Sequence, residues 1–288
     1  MAVLKMVRYG RLTYPKDIPL HLQEVSGHFD VQPFAKEQPY SLHTEYSYGA
    51  REFRSAAIME HSSIPEAQKN GIPQLWADMY WAADFAVFIH RLVERGNAPS
   101  VIEIHPPFKD CAGGMEGFLN SYSIFEKVMN KRFPETEIVI ENRTGTRNRC
   151  GFLISTVQDL KELCQGISAH EMKLKIALDI PQILYAEKAH TAEQIQRVFR
   201  ELVEIRGLIG SIHLWGRQKK ADGRVTSHTG DLKTWFAGDE KAHQALLDGM
   251  VKLLDDDISR WLVLEVNSGE KDLNSIINDL KSKEIRFI

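Results

Sequence analysis

Short runs of β-favouring residues alternate along the chain with longer segments of helical spacing. This is the pattern of βα units wound on a parallel sheet. Strands are predicted at 3–10, 28–34, 40–46, 100–106, 137–142, 173–180, 210–216 and 260–266. Several of them, KLKIALDI and RWLVLEV among them, are nearly continuous in apolar residues, as strands buried on both faces are. Helices are predicted over 73–96, which opens on Pro73 and stops at Gly96, and over 155–166, 191–206, 240–256 and 271–283. Only a short segment, 17–26, is left for the helix between the first two strands, and 285–288 is a ninth β-like run. Eight strands with interleaved helices is the count of a (β/α)8 barrel, so the expected fold is α/β, a single TIM barrel over 1–288. The alternative, a doubly wound open sheet, lacks a GxGxxG after the first strand.

Composition narrows the class. The 288 residues suit one large domain, and 43% hydrophobic with 26% charged is ordinary for a globular enzyme. No run approaches the roughly eighteen apolar residues of a membrane span. The opening MAVLKMVRYGRLTYP lacks an apolar core with a small-residue cleavage site, so no signal peptide is expected. Cys111, Cys150 and Cys164 show no CxxC spacing, which speaks against a disulfide framework or a cysteine zinc site and for the cytoplasm. The balance of 36 basic and 39 acidic residues disfavours a surface that coats nucleic acid throughout, but permits a local basic site.

Six residues of metal-ligand type stand at or near the C-terminal ends of predicted strands: His43, His105, Glu141, Asp179, His213 and Glu265. In a parallel barrel these ends share one face, where active sites of that fold are built. A carboxylate inside an apolar strand is costly to bury unless it is paired or binds a metal. Mixed imidazole and carboxylate ligation suits zinc, with manganese or iron as alternatives, as one ion or two. Two such ions can share a carboxylate, polarise a phosphoryl oxygen and generate a hydroxide nucleophile.

The stretch IENRTGTRNRCGF resembles a strand end of the xylose isomerase-like TIM barrels, and within them of the endonuclease IV type, also called AP endonuclease family 2. The resemblance runs from about residue 40 to 266. It implies that Glu141 bridges two metals, with His43 and His105 completing one site and Asp179, His213 and Glu265 the other. It also implies cleavage at abasic sites in DNA. Two departures stand out. Gln182 occupies a position where the family has a third-site histidine, and Thr226-Ser227-His228 replaces its Asp-x-His, so the third metal site is degenerate. Sugar isomerases and epimerases of the superfamily use a Glu, Asp, His, Glu set that Glu141, Asp179, His213 and Glu265 also satisfy. There Glu141 and Glu265 would exchange protons as an acid/base pair.

Arg143, Arg147 and Arg149 follow Glu141, and Arg217, Lys219, Lys220 and Arg224 follow His213, on loops suited to an anionic ligand. The polar connection 216–232 carries the second group together with His228 and is expected to cover the pocket. Tyr46 falls where the endonuclease IV likeness has an aromatic that enters the DNA stack, and Tyr48 and Trp215 lie near the same face. The expectation is a metal-dependent hydrolase acting through hydroxide on a phosphodiester or other phosphorylated substrate, a small anion or a nucleic acid. Glu141, Glu265 and His228 are its catalytic candidates, and Tyr46, Gln182, His228 and the basic loop residues its substrate contacts. The alternatives are a sugar phosphate isomerase or epimerase, and a catalytically weakened barrel that binds a ligand or nucleic acid.

Overall fold

The computed structural model describes residues 2–46, 49–50, 52–53, 56–145, 151–219 and 222–288. Among them the principal strands are β1 (Val3–Arg8), β2 (Leu20–Gly27), β3 (Tyr40–Thr44), β4 (Val101–Ile104), β5 (Glu137–Glu141), β6 (Lys175–Asp179), β7 (Ile209–Leu214) and β8 (Arg260–Leu264). A two-residue strand, β9 (Arg286–Phe287), is added on β1. The sheet order is β8-β7-β6-β5-β4-β3-β2-β1-β9, and a parallel β1–β8 pairing, Leu4↔Arg260 to Val7↔Val263, joins its ends. The topology is that of a closed (β/α)8 barrel, as the alternation of elements predicts. No helix among the described residues is long and apolar enough to cross a membrane.

The chain folds as two compact units, Met1–Gln23 with Ala177–Ile288 (the terminal unit) and Glu24–Ile176 (the central unit). The central unit carries β3 to β5 and the helices α1 (Met79–Val93), α2 (Gly114–Arg132) and α3 (Val157–Ala169). Its interior is aromatic: Phe85 stacks on Phe125 at 5.2 Å, and Trp76, Trp81 and Phe118 pack around them. Helix α1 starts later than the predicted 73–96, because Ile72–Pro73 pairs with Gln68–Lys69 and Asp78 supplies the cap, accepting from Trp81 N. No helix was expected at α2. Its two glycines and its serines and asparagines weaken the pattern, but Phe118, Tyr122, Phe125 and Met129 recur at helical spacing and bury one face. At α3, Thr156 and Asp159 form a capping box.

The predicted strand at 28–34 and helix at 17–26 are both replaced by β2. Gln23, Glu24 and Ser26 read as helix surface, yet the backbone here pairs with β1 (Met6↔Leu20, Val7↔Leu22). The apolar spacing of 28–34 has another cause. Phe29 is fully buried in a connecting segment, edge-on to Phe53, Phe85 and Phe88.

The terminal unit holds β1, β6 from Ala177 onward and β7 to β9, with α4 (Ile180–Ala186), α5 (Ala192–Val203), α6 (Glu240–Leu253) and α7 (Glu270–Ser282). Thr191 and Gln194 cap α5 as a box. Helices α5 and α6 meet at Gly249, where a Cβ would stand 2.3 Å from the Phe199 ring. At the start of β8, Arg260 is wholly buried and saturated: it donates to the carbonyls of Ile209, Arg206 and Ile258 and to both oxygens of Asp256. Within the connection 216–232, Arg217–Lys219 pairs antiparallel with Val225–Ser227.

Candidate metal centre

The centre of the central unit is built by strand register. His43 on β3 stands directly opposite Glu103 on β4. Strand parity sends 103 and 105 to the same side, so His105, one residue beyond β4, joins them. Glu141, the last residue of β5, comes from the next strand over. Among the described residues, His43, Glu103, His105 and Glu141 present ligand atoms that all lie within 4.8 Å of one another. His105, Glu141 and Glu103 are at most 2% exposed.

The hydrogen positions in this group are dictated by its partners. His105 Nδ1 lies 3.0 Å from the carbonyl oxygen of Glu45, which can only accept, so that nitrogen carries a hydrogen. Burial, the leading influence, lowers the His105 pKa against the pull of Glu141 and so opposes a second proton. Nε2 therefore presents a lone pair, 2.9 Å from Glu141 Oε2 and 3.2 Å from His43 Nε2. The His105 lone pair and the Glu141 carboxylate oxygen converge on one point beside His43 Nε2, whose proton a divalent cation can replace. The donor set, two imidazoles and two carboxylates with the tautomer of one imidazole set by a backbone carbonyl, fits a divalent transition metal.

Carboxylates enclose the other edge of His43, whose Nδ1 is 3.3 Å from Glu24 Oε1 and 3.6 Å from Glu103 Oε1. Burial opposes charge on His43, but Glu103 and Glu24, with Glu141 behind, outweigh it and push its pKa up to about 10. The Glu45 carboxylate accepts from the backbone of Phe29 and Tyr46. Tyr46 lies beside both histidines, with ring centroids 6.5 Å from His43 and 5.6 Å from His105, and edge-on to His28. The Arg143 guanidinium lies over Tyr46 at 4.9 Å and over Phe152 at 5.9 Å, with Nη1 3.6 Å from Glu141 Oε1.

The terminal unit gathers a second set of the predicted residues. Glu265 lies between two imidazoles: His213 Nδ1 is 3.3 Å from Oε1 and His228 Nδ1 3.1 Å from Oε2. Burial raises the Glu265 pKa, yet the adjacent His213 and His228 imidazoles hold it well below the usual carboxylate range. His228 takes a left-handed backbone (φ +58°) and stacks flat on Trp215 at 4.5 Å. Asp179 has a capping role. Its Oδ1 accepts from Gln182 N at the start of α4, and both oxygens accept from Trp215 Nε1 at 3.1 and 2.9 Å.

Arg217 donates to the Trp235 carbonyl and lies over its ring at 4.4 Å, Arg224 pairs with Asp222 at 2.6 Å, and Lys219 is exposed. Gln182 is buried at the start of α4. Tyr48, Arg147, Arg149 and Lys220 lie outside the described residues. The sequence reading omits Glu103, Glu24, His28 and Glu45. For Glu103 the signal was present in VIEIH, where the carboxylate shares the strand phase of His105.

The fold and side chains together define a parallel (β/α)8 barrel that carries a candidate metal-binding group. No family model matches the chain, and no curated protein matches it. Among solved structures it is similar to AP endonuclease, family 2, from Brucella melitensis, at 10% identity over 88% of this chain and 98% of that one, with a TM-score of 0.46. It is also similar to a xylose isomerase domain protein from Alicyclobacillus acidocaldarius, at 11% identity over 99% and 98% with a TM-score of 0.44. A GH53 catalytic domain from Ignisphaera aggregans shows 10% identity over 85% and 74%, with a TM-score of 0.43.

Proposed function

We propose that this protein is a divalent-metal-dependent hydrolase of phosphodiesters or other phosphorylated substrates, with zinc the first candidate ion. The observation that carries the reading is the convergence of His43 Nε2, His105 Nε2 and Glu141 Oε2, with Glu103 opposite His43. A divalent metal held there by His43, Glu103, His105 and Glu141 supplies Lewis acidity toward a phosphoryl oxygen and acidifies water. The chain does the rest. The Glu45 carbonyl holds the His105 proton on Nδ1, keeping Nε2 directed at the centre. Arg143, braced on Tyr46 and Phe152, holds a guanidinium beside Glu141, where it favours an anionic substrate group.

The test pairs metal analysis with a substrate panel. Protein purified without added ions is expected to carry bound metal that His105→Ala loses, and chelator is expected to abolish cleavage of at least one phosphodiester in a panel that includes abasic DNA. Chelator-sensitive exchange of a carbon-bound hydrogen of a sugar phosphate, with no phosphodiester cleaved, would replace this reading with an isomerase. Bound metal and a bound phosphate ester without turnover of either kind would make the barrel a binding module.

A further inference from the structure

Trp76 combines two unusual properties. It is a bulky residue with a left-handed backbone (φ +58°), a conformation that side chains of its size rarely adopt, and it is only 1% exposed. Its indole is packed among Trp81, Phe85, Phe118 and Phe125, with centroids 5.1 to 5.6 Å away. Such surroundings ask only for an apolar ring. What the indole adds is one N–H, and that N–H donates to the carbonyl oxygen of His105 at 2.8 Å.

We propose that Trp76 is a positioning residue for the metal centre, acting through the backbone of His105. The proposal rests on the reading of His105 as a ligand. His105 follows the last residue of β4, where the sheet no longer dictates the backbone. Two contacts replace the sheet: the Trp76 N–H on its carbonyl, and its own Nδ1 on the Glu45 carbonyl. Together they fix both ends of the residue, so that Nε2 is held 2.9 Å from Glu141 Oε2 and 3.2 Å from His43 Nε2. The strained backbone at Trp76 has a reason in this view, because it is what aims the indole at that carbonyl. The approach segment is braced locally, with the Gln74 side chain donating to the Ile72 carbonyl.

The test compares two exchanges of the same chemistry, Trp76→Phe and Trp81→Phe. Trp81 belongs to the same aromatic cluster, with its ring against Trp76 and Phe85. Both variants are expected to melt at a lower temperature. Only Trp76→Phe is expected to weaken Co²⁺ binding, by about tenfold or more, as loss of a group that orients a ligand does. It is also expected to change the visible spectrum of the bound Co²⁺. In the metal-free protein the His105 ring ¹⁵N shifts are expected to move in Trp76→Phe and not in Trp81→Phe. Benzothienylalanine at position 76 keeps the ring shape and removes the N–H, so it isolates the bond if the phenylalanine variant does not fold. Wild-type Co²⁺ affinity and unmoved His105 shifts in a folded position-76 variant would overturn the proposal. A wild-type protein that binds no Co²⁺ while its His105 shifts respond to position 76 would overturn the metal reading and with it the role at a metal centre, leaving only that Trp76 orients His105.

Discussion

At His43 two opposing influences are strong enough to be separated by experiment. Burial alone would hold the imidazole neutral, but Glu103 at 3.6 Å and Glu24 at 3.3 Å hold it protonated up to a pKa of about 10. A metal that takes His43 as a ligand must displace that proton. Affinity is therefore expected to rise by about tenfold per pH unit from 6.5 toward 10, since one proton leaves for each ion bound. Competition titrations with a chromogenic chelator at several pH values read the slope directly. A flat profile would mean that His43 is neutral in the metal-free protein or is not a ligand. The same residue shows why the site was only partly legible. His43, His105 and Glu141 announce themselves as polar groups at the ends of apolar strands, whereas Glu103 is found only by asking which residues share a strand phase. Glu24 is hidden in a sequence whose pattern over 17–26 predicts a helix, because its place beside His43 depends on β2 being a strand.

Among the elements, those stabilised by local patterning were readable and those stabilised by distant packing were not. Helices α3 and α5 begin at threonines whose side chains accept from the third helical residue, and both starts are visible within one residue in the sequence. Helix α2 and strand β2 owe their form to what they pack or pair with, which single-residue preferences do not report. A β8 residue makes the energetic point. The Arg260 guanidinium is wholly buried, with five polar contacts to Ile209, Arg206, Ile258 and Asp256. Removing it takes the donor from three carbonyls and leaves Asp256 only Arg206 and the Ile258 N–H. Arg260→Ala is expected to cost about 3–5 kcal/mol in urea unfolding, whereas Thr156→Ala, which removes one half of a capping box, is expected to cost only ~1 kcal/mol. A loss under about 1 kcal/mol for Arg260→Ala would show that water replaces the bonds the side chain makes.

Across the whole molecule, the net charge of −3 conceals opposite local balances, and these set the dependence of stability on pH. Among the described residues the centre is rich in carboxylate, with Glu24, Glu103 and Glu141 around two histidines and Arg143 at its edge. In the metal-free protein His43 has a folded pKa of about 10, above the 6.5 of an ordinary histidine, so its contribution is complete below 6.5 and is lost as pH climbs through 10. Glu265 behaves in the opposite sense. Its folded pKa is depressed below 4.5 by His213 and His228, so its contribution is present above 4.5 and is lost as pH falls through the depressed value. One group thus lies on the alkaline limb and the other on the acid limb, each within its own unit. Thermal unfolding of chelated protein from pH 3 to pH 11 is expected to show a stability maximum between the limbs. Glu265→Gln is expected to flatten the acid limb and leave the alkaline one, and His43→Gln to do the reverse. If Glu265→Gln retains the full acid slope, the two imidazoles do not stabilise the ionised carboxylate, and the chain from His213 through Glu265 to His228 carries no shared charge.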